Sequence, residues 1–268
     1  MSLAGGKAPT ADGRLRMYTD LAKFYDLQYS WKDYPAEVRR LEALARRYGR
    51  SGGSSWLDVA CGTGKHLELL SRHFDCAGVD VNAEMLKVAR GRLRGVPLTR
   101  GDMRSFRLPR RFAVVSCLFS AIGHLTTERD LRRAFRRMAD HLLPGGVLIV
   151  EPWIAPEDFR GALIHLRTYE DPSITLVRCA FSRREGSRSV IEYSYLIGEP
   201  RKGIRYLREV DRGLMVPPVR LLKLMESAGL KPRFLRRGFF SDRGLLIGVK
   251  PLFGSRRGSG SRGWADAA

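Results

Sequence analysis

The feature that most constrains the fold is a short apolar segment that ends in a carboxylate and runs into a glycine turn. It reads Ser-Trp-Leu-Asp-Val-Ala-Cys-Gly-Thr-Gly-Lys over residues 55–65. Trp56–Val59 has the length and composition of a buried strand, and residues 66–74 carry apolar side chains at helical spacing. Because Gly62 and Gly64 have no Cβ, the backbone between them can approach a ligand closely. The segment therefore predicts a strand, a ligand-binding turn and a helix.

Two common nucleotide-binding motifs are excluded by the residues of this turn. A dinucleotide-binding loop requires G-x-G-x-x-G, and in the frame that starts at Gly62 the third glycine position holds Leu67. A phosphate loop requires G-x-x-x-x-G-K-[ST]. Gly64 and Lys65 are followed by a histidine, and Val59 stands where the earlier glycine is needed. The turn is therefore predicted to bind another nucleotide-like ligand.

Two carboxylates mark the ends of the first two predicted strands. Asp58 precedes the glycine turn, and Asp80 ends the apolar segment of residues 76–80. In an open α/β sheet, ligands bind beyond the carboxyl ends of the strands, so both side chains are expected near one ligand. One carboxylate can accept hydrogen bonds from an ammonium group and the other from ribose hydroxyls.

The pattern resembles the class I S-adenosylmethionine-dependent methyltransferases, whose first motif is D/E-x-G-x-G-x-G. Here it reads Asp-Val-Ala-Cys-Gly-Thr-Gly over residues 58–64, with Ala60 at the first glycine position. Asp80, residues 101–103 and residues 143–150 follow in the order of that family's later motifs. The resemblance implies an α/β fold, a Rossmann-like seven-stranded sheet with helices on both faces, and S-adenosylmethionine as the cofactor.

The resemblance also implies the roles of the cofactor-binding residues. Asp58 and the backbone of residues 62–64 would hold the methionine part, and Asp80 would accept the ribose hydroxyls. Asp102 would accept from the adenine amino group, although a turn or helix cap is the alternative role for this residue. Met103 and Asn82 would flank the adenine ring. The implied cofactor-binding set is Asp58, Ala60, Gly62, Gly64, Asp80, Val81, Met85, Asp102, Met103 and Phe119.

A histidine follows the fourth predicted strand, in residues 114–125, which are expected to pass beneath the transferred methyl group. His124 has an ordinary pKa near neutral pH, which suits it to accept a proton from an ammonium group or to orient an amine. A lone histidine is more often a packing or capping residue. His124 is therefore a hypothesis for the catalytic group.

Over residues 25–249 the chain is similar to a narrower family, the bacterial deoxyaminosugar N-methyltransferases of the desosamine and mycaminose type. Those enzymes dimethylate the amine of a thymidine-diphosphate-linked 3-amino sugar. Ala60, the unusual residue of the first motif, agrees with that family. The segments that carry the resemblance are residues 25–29, 32–34, 57–64, 101–106, 119–120, 123–125, 144–146, 151–153, 203–205 and 243–245.

This closer resemblance implies an acceptor site. Tyr29 and His124 would flank the sugar amine as catalytic residues, and Arg243 would face the diphosphate, because a forked guanidinium pairs well with phosphate oxygens. The sequence departs from the family over residues 211–220, where the sugar enzymes carry a histidine, an aromatic residue and an acidic residue. The resemblance therefore predicts the type of reaction and leaves the identity of the acceptor open. The implied substrate-binding set is Tyr25, Tyr34, Trp153 and Arg243.

Secondary-structure patterns predict an order of elements along the chain. Strands and helices alternate over residues 56–150, which predicts a parallel sheet. An antiparallel β insertion then follows, and the resemblance to the sugar enzymes implies that it covers the substrate or forms a homodimer contact. The predicted helices outside the alternating region are residues 15–25, 35–48 and 217–228, with Gly229 as the last cap, and a short helix or turn over residues 156–159. The predicted later strands are residues 174–182, 189–197, 204–212, 233–239 and 243–249.

The same patterns divide the chain into five parts. Small polar residues and glycines at the start, and Gly, Ser and Arg at the end, predict disordered termini. The divisions are a disordered N-terminal segment (1–14), a cofactor-binding core with N-terminal helices (15–155), the β insertion (156–213), the C-terminal part of the core sheet (214–253) and a disordered basic tail (254–268).

Composition bounds the cellular setting. The longest apolar segments fall far short of the roughly 20 residues that span a bilayer, and no apolar signal core is present at the N-terminus. A cytoplasmic enzyme without a membrane partner is expected. The four cysteines are far apart, so free buried thiols are favoured over disulfides or a zinc site, and no metal ion is predicted. These cysteines are Cys61, Cys76, Cys117 and Cys179.

The net charge leaves alternatives open. The chain carries 48 basic and 28 acidic residues, a formal charge of +20, which attracts polyanions. An RNA or protein methyltransferase is one alternative, and a polyanion-binding module with a degenerate cofactor site is another. The basic residues are scattered and lack interleaved aromatic residues. A small-molecule amine is therefore the favoured acceptor, and nucleic acid is a partner that the sequence allows without favouring it.

Overall fold

The structure is a computed structural model and describes residues 15–19, 21–240 and 242–252. The predicted disordered segments, residues 1–14 and 254–268, lie outside the described residues. The strands are β1 Ser55–Val59, β2 Asp75–Asp80, β3 Leu98–Arg100, β4 Phe112–Cys117, β5 Leu142–Val150, β6 Leu163–Asp171, β7 Ile174–Glu185, β8 Arg188–Glu199, β9 Gly203–Leu214, β10 Lys231–Leu235 and β11 Leu245–Val249. The helices are α1 Tyr25–Gln28, α2 Tyr34–Tyr48, α3 Lys65–Leu70, α4 Ala83–Arg92, α5 Glu128–Asp140 and α6 Pro218–Ser227, and 3₁₀ turns span Arg16–Tyr18, Ala22–Phe24 and Ala121–His124.

Seven strands form the core sheet in the order β10-β11-β5-β4-β1-β2-β3. The pairs from β5 through β3 are parallel, whereas β11 runs antiparallel to both β5 and β10. β1 lies between β4 and β2, so the strand order reverses beside it. Such a reversal opens a crevice at the carboxyl ends of the strands, which is where ligands bind in open α/β sheets. The predicted α/β architecture is confirmed.

Helices cover both faces of the core sheet because successive side chains of its strands point to opposite faces. Leu57 packs in one apolar cluster with Phe135 of α5, and its neighbour Trp56 packs in a second cluster with Leu41 of α2 and Leu67 of α3. α5 begins at a threonine cap, where the Thr127 hydroxyl accepts the backbone N–H of Asp130. The two clusters fix the sheet and its crevice.

The insertion after β5 is a separate antiparallel sheet of four strands in the order β6-β7-β8-β9, which we call the second sheet. The sequence predicted three of these strands and missed β6. Eight of the nine residues of β6 are exposed, and the buried one is Tyr169. An edge strand with so few buried side chains has no alternating apolar pattern, which is the signal that sequence reasoning uses.

The N-terminal segment, residues 15–33, is not the regular helix predicted over residues 15–25. It forms two 3₁₀ turns and the short helix α1. Met17, Leu21 and Tyr25 are buried against the inner face of the second sheet, with Leu176 among their neighbours. The Glu209 carboxylate accepts the backbone N–H groups of residues 16 and 17 at 2.6 and 3.3 Å, so a side chain supplies the partners that a continuous helix would otherwise provide.

Several predicted elements are shorter in the structure. The helix predicted over residues 66–74 ends at Leu70, and turns follow. The last two predicted strands included residues 236–239 and 243–244, which lie outside the strands in the structure. At Gly244 the chain passes so close to Leu235 that a Cβ would lie 2.3 Å from the Leu235 backbone oxygen, so this approach requires glycine. Gly229 ends α6 with φ of +81°, as its predicted capping role requires.

Two glycines make room for the indole of Trp153. A Cβ at Gly123 would lie 2.7 Å from the Trp153 Cβ, and one at Gly213 would lie 2.5 Å from its Nε1. Gly213 belongs to β9, and Gly123 to the turn that follows β4. Trp153 therefore joins the second sheet to the core, and only glycine fits at the two positions that face its side chain.

Replacing Gly213 by alanine is expected to destabilise the fold by about 1–3 kcal/mol, because the added methyl group overpacks the indole. The free energy of unfolding in urea, followed by circular dichroism, measures this. Gly91→Ala is the matched control, since a Cβ there meets nothing within 4 Å and its position is helical. That variant should be neutral or more stable by about 0.5–1 kcal/mol. Equal stabilities for the two variants would contradict the packing argument.

Candidate cofactor and acceptor site

A cavity of about 420 Å³ opens at the carboxyl ends of β1, β2 and β4. The turns after these strands form one wall, and the N-terminal segment and β9 of the second sheet form the other. A second cavity of about 360 Å³ adjoins it and shares Ala60, Val81 and Met103 with it. Their sizes fall in the range of small-molecule sites, and both lie where the strand order predicts a ligand.

The turn after β1 is held by the carboxylate at the end of β2. Asp80 accepts the backbone N–H groups of Gly62 and Asn82, both at 2.8 Å. Ala60, Gly62 and Gly64 have φ of 60°, 56° and 77°, the left-handed region that favours glycine. Ala60 occupies this region at a cost of about 1 kcal/mol, which explains why glycine is usual at its position in the motif.

Asp58 lies beneath the turn rather than on the cavity wall. Its residue is 2% exposed, and its carboxylate accepts the Ser116 hydroxyl at 2.7 Å. Burial raises the pKa of Asp58 to about 6, against the opposing effects of His66 and of the bond from Ser116. The predicted contact of Asp58 with a methionine ammonium group stays a prediction.

The second cavity is lined by two of the three residues that the resemblance assigns to adenine, Asp102 and Met103. The Asp102 carboxylate already accepts from Arg104, with Nη2 at 2.6 Å and Nε at 3.0 Å, and these bonds hold the pKa of Asp102 below its usual range. Met103 forms an apolar wall. Asn82 lines the larger cavity, and its Oδ1 is buried without a hydrogen-bond partner in the described chain. An acceptor without a partner fits a ligand that brings an N–H or O–H group.

Three polar side chains meet at the acceptor end of the larger cavity, and we call them the acceptor triad: Tyr18, His124 and Asp211. The Tyr18 hydroxyl lies 3.3 Å from His124 Nε2, and Asp211 Oδ1 lies 3.3 Å from His124 Nδ1. The His124 side chain is 36% exposed. Desolvation in the cavity opposes the charged imidazolium, but Asp211 offsets it and raises the pKa of His124.

Sequence reasoning identified His124 but missed its two partners. It assigned Tyr29 to the amine, whereas Tyr29 packs against Tyr25 and Phe119, with ring centroids 4.7 Å apart in both pairs. Tyr29 is not among the described residues that line the cavity, and its catalytic role stays a prediction. Tyr18 gave no signal, because it lies in an irregular segment. Asp211 was visible only as the first residue of the segment that departs from the family pattern.

A strained turn at Phe119 and Ser120 presents Phe119 to the cavity. Both residues have positive φ, 51° and 58°, which costs roughly 1–3 kcal/mol each. The buried Glu151 carboxylate accepts the Phe119 N–H at 2.7 Å, and the Ser120 hydroxyl donates to the Pro152 carbonyl at 2.8 Å. Arg243 Nη1 donates to the same hydroxyl at 2.7 Å. Glu151 and Arg243 thus stabilise a turn that the sequence did not indicate.

The remaining predicted residues have defined surroundings. Tyr25 and Met85 are buried and line the larger cavity. Tyr34 packs on His66, with ring centroids 5.0 Å apart. The indole of Trp153 lies 6.5 Å from the His124 ring, and its Nε1 donates to Ser189 at 2.7 Å. The contacts of these residues with a substrate stay predictions.

The N-terminal segment is tied to the cofactor turn. Asp26 accepts the Thr63 hydroxyl at 2.6 Å and pairs with Arg92, which also donates to the Thr63 carbonyl. Because Tyr18 and Tyr25 belong to the same segment, these contacts hold the acceptor end of the cavity over the turn. Within the described ranges, no group of three or more His, Cys, Asp or Glu is arranged to hold a metal ion.

Comparison with known proteins finds methyltransferases that are similar to this chain in sequence and in structure. The model of the methyltransferase domain family matches residues 57–146. The chain is 40% identical over 241 residues to the dTDP-3-amino-3,6-dideoxy-alpha-D-glucopyranose N,N-dimethyltransferase of Streptomyces fradiae, a match that covers 89% of this chain and 94% of that protein.

Two solved structures extend the likeness. The crystal structure of Streptomyces venezuelae DesVI superposes with a TM-score of 0.81 at 38% identity, over 87% of this chain and 99% of that chain. An amino pentose methyltransferase of Micromonospora echinaspora, solved with S-adenosylmethionine bound, gives a TM-score of 0.76 at 33% identity over 84% and 96%.

Proposed function

Because this chain belongs to the class I S-adenosylmethionine-dependent methyltransferases, in the family of the dTDP-aminosugar N,N-dimethyltransferases, we propose that its acceptor is the amine of a nucleotide-linked aminosugar. The enzyme is an N-methyltransferase with S-adenosylmethionine as its cofactor. The observation that carries the proposal is one cavity that contains both the turn held by Asp80 and the acceptor triad. A cofactor on the turn would therefore face a group that can hold an amine.

The cavity residues fit this cofactor. Asp80 offers two carboxylate oxygens to ribose hydroxyls, beside the two backbone N–H groups that it already accepts. Asn82 offers its unpartnered Oδ1, and Met85 and Met103 offer apolar walls. A Cβ at Gly62 would lie 3.3 Å from Met85 Cε and would reduce the space above the turn.

When it is bound, S-adenosylmethionine supplies a methyl group that its sulfonium already activates. The protein must then hold an amine in line with that group and keep its lone pair free. Neutral His124 can accept the proton of an incoming ammonium group at Nε2. Burial raises the pKa of Tyr18 well above its usual range, so its hydroxyl stays neutral and can hydrogen-bond the amine.

We propose that the rest of the substrate lies along the strained turn at Phe119 and Ser120. The Arg243 guanidinium lies beside Ser120 and over the Phe240 ring, which supports its predicted role facing a diphosphate. The Asp242 carboxylate accepts a hydrogen bond from Arg243 Nε at 2.9 Å and neutralises part of the charge of the guanidinium. Tyr25, Tyr29, Tyr34 and Trp153 are proposed to contact the sugar and nucleotide.

A methyl-transfer assay tests the proposed acceptor. The purified enzyme with S-adenosylmethionine is offered a dTDP-3-amino-dideoxyhexose, the same aminosugar without its nucleotide, and bulk RNA, and the products are analysed by mass spectrometry. We expect methylation of the nucleotide-linked amine alone. Methylation of RNA alone would overturn the proposal in favour of the alternative that the charge of +20 suggested. Binding to RNA that fades with salt and leaves no methyl mark would count as nonspecific attraction.

We also propose that the enzyme works in the cytoplasm. No described helix is both long and apolar enough to cross a membrane. Three cysteines are buried, the fourth is half-buried, and all four are unpaired, which suits a reducing compartment.

The outer face of the second sheet supports the proposal of a homodimer. Leu166 and Ile164 of β6 are 67% and 71% exposed, and the strand register places Phe181 and Leu196 on the same face. Exposed apolar side chains that adjoin in this way mark interaction surfaces. A second copy could stack the same face on this one about a two-fold axis.

Substituting Leu166 by arginine is expected to convert the dimer to a monomer, because it would bury an unpaired charge at the stacked sheets. Light scattering coupled to size-exclusion chromatography gives the mass. Val219→Arg is the control, since Val219 is 62% exposed on α6, away from the second sheet. A wild-type chain that elutes as a monomer at all concentrations would exclude the dimer.

A further inference from the structure

We propose that Asp211 is a positioning residue that fixes His124 in the tautomer able to take a proton from the acceptor amine. The inference rests on the proposed N-methyltransferase function and names a residue that the sequence did not assign. Asp211 touches His124 and acts on the amine through it.

The contact joins two parts of the fold. His124 ends the 3₁₀ turn that follows β4 of the core sheet, and Asp211 lies on β9 of the second sheet. Asp211 pairs in register with Ile191 of β8, which fixes its position on the strand. Its residue is buried, and its Oδ1 lies 3.3 Å from His124 Nδ1. The second sheet therefore supplies a charged side chain to a site whose other charged carboxylate, Asp80, belongs to the core.

The carboxylate determines which ring nitrogen carries the proton. An ionised carboxylate attracts a proton and repels a lone pair, so Nδ1, the His124 nitrogen 3.3 Å from Asp211 Oδ1, is expected to carry the proton. In the neutral ring the lone pair is then on Nε2, the nitrogen 3.3 Å from the Tyr18 hydroxyl. The lone pair thus faces the Tyr18 hydroxyl, and both groups line the cavity where the acceptor amine is proposed to bind.

The proton step balances without another reactant. An N–H bond of the ammonium group breaks, its electron pair stays on the amine nitrogen, and the proton forms an N–H bond at His124 Nε2. The imidazolium that results lies against the Asp211 carboxylate, which stabilises it. The freed lone pair of the amine is then available for methyl transfer.

Among the described residues, the ionisable groups that interact with His124 are Asp211 from β9, Asp80 from β2 and Tyr18 from the N-terminal segment, and Arg212 of β9 lines the same cavity. Desolvation opposes the imidazolium, whereas Asp211 above all, and then Asp80, favour it, so the pKa of His124 is raised. A base with a raised pKa is deprotonated only at higher pH. The acidic limb of the rate profile is therefore expected to follow the titration of His124, and Asp211 moves it to higher pH.

Asp211→Asn tests the inference, because asparagine keeps the shape and removes the charge. The tautomer and pKa of His124 are read from ¹⁵N-labelled protein by NMR, with His124→Asn to assign its signals among the five histidines. We expect the Nδ1–H tautomer in the wild type. In Asp211→Asn we expect a mixture of tautomers and a lower pKa for His124.

Methyl transfer gives a second readout. In Asp211→Asn the acidic limb of kcat against pH should move to lower pH, while the plateau falls roughly 10-fold and the KM for S-adenosylmethionine stays the same. Asp211→Glu keeps the charge and should retain the raised pKa of His124. Asp171→Asn is the control on the same sheet, where the exposed carboxylate accepts from Ser173, and it should change none of these readouts.

An unchanged tautomer and pKa in Asp211→Asn would overturn the inference, and so would equal effects of the Asn and Glu variants. The NMR readout needs no acceptor, so it separates this inference from the proposed acceptor. If the nucleotide-linked aminosugar is not methylated but His124 responds to Asp211 as described, the proposed acceptor fails and the positioning role stands.

Discussion

Replacing His124 by alanine is expected to slow methyl transfer by roughly 100-fold or more, while the affinity for S-adenosylmethionine changes by less than about threefold. The imidazole is the group of the acceptor triad that can take a proton near neutral pH, and it lies at the acceptor end of the cavity. Single-turnover rates and calorimetric titration of the cofactor measure the two effects separately.

His73→Ala is the control for this experiment. The His73 side chain is 66% exposed and pairs with Glu42 on the surface, so its removal should leave the turnover unchanged. If His124→Ala turns over as fast as the wild type, His124 has no part in the chemistry and the amine must lose its proton to solvent. A large loss of cofactor affinity would instead mean that His124 supports the shape of the cavity.

Asparagine in place of Asp80 is expected to weaken S-adenosylmethionine binding by roughly 100-fold. The Asp80 carboxylate accepts two backbone N–H groups, from Gly62 and Asn82, and is proposed to accept the ribose hydroxyls as well. An asparagine amide has one oxygen, and its NH₂ group would face an N–H donor. Hydrogen bonds to a charged group contribute about 1.5–3 kcal/mol each, so the loss of one or two gives this effect.

Calorimetric titration measures the change, and Asp75→Asn is the matched control. Asp75 begins the same strand at its exposed end and pairs with Arg110, away from both cavities. Its variant should bind the cofactor as the wild type does. A folded Asp80→Asn variant whose Kd stays within threefold would show that Asp80 neither holds the turn nor binds the ribose.

The core fold was predictable because its signals are local. Trp56–Val59 is a buried strand in which only Asp58 is polar, and the glycines after it have the positive φ that a close turn requires. Asp80 could be placed near the turn because parallel strands bring their carboxyl ends to one edge. The resemblance assigned Ala60 to the cofactor-binding turn. In the structure Ala60 is a non-glycine residue with φ of 60°.

The acceptor end was less predictable because its contacts join distant segments. Tyr18 lies in a 3₁₀ turn of three residues, which is too short to show a periodic apolar pattern, and the position of this turn depends on Glu209, a residue far along the chain. Asp211 meets His124 only after the second sheet folds over the core. β6 was missed because it is exposed on both faces, and a strand of that kind has no apolar pattern. Pattern reasoning detects burial within one segment and not the pairing of two.

The N-terminal segment has a consequence for the way in which ligands enter and leave the cavity. It is anchored to the second sheet at Glu209 and to the cofactor turn through Asp26, and its Tyr18 and Tyr25 form part of the wall of the larger cavity, which contains both the cofactor turn and the acceptor triad. Any movement that draws this wall away would uncover the turn and the triad together. A cofactor on the turn and a substrate at the acceptor triad are therefore expected to enter and leave the cavity through one opening.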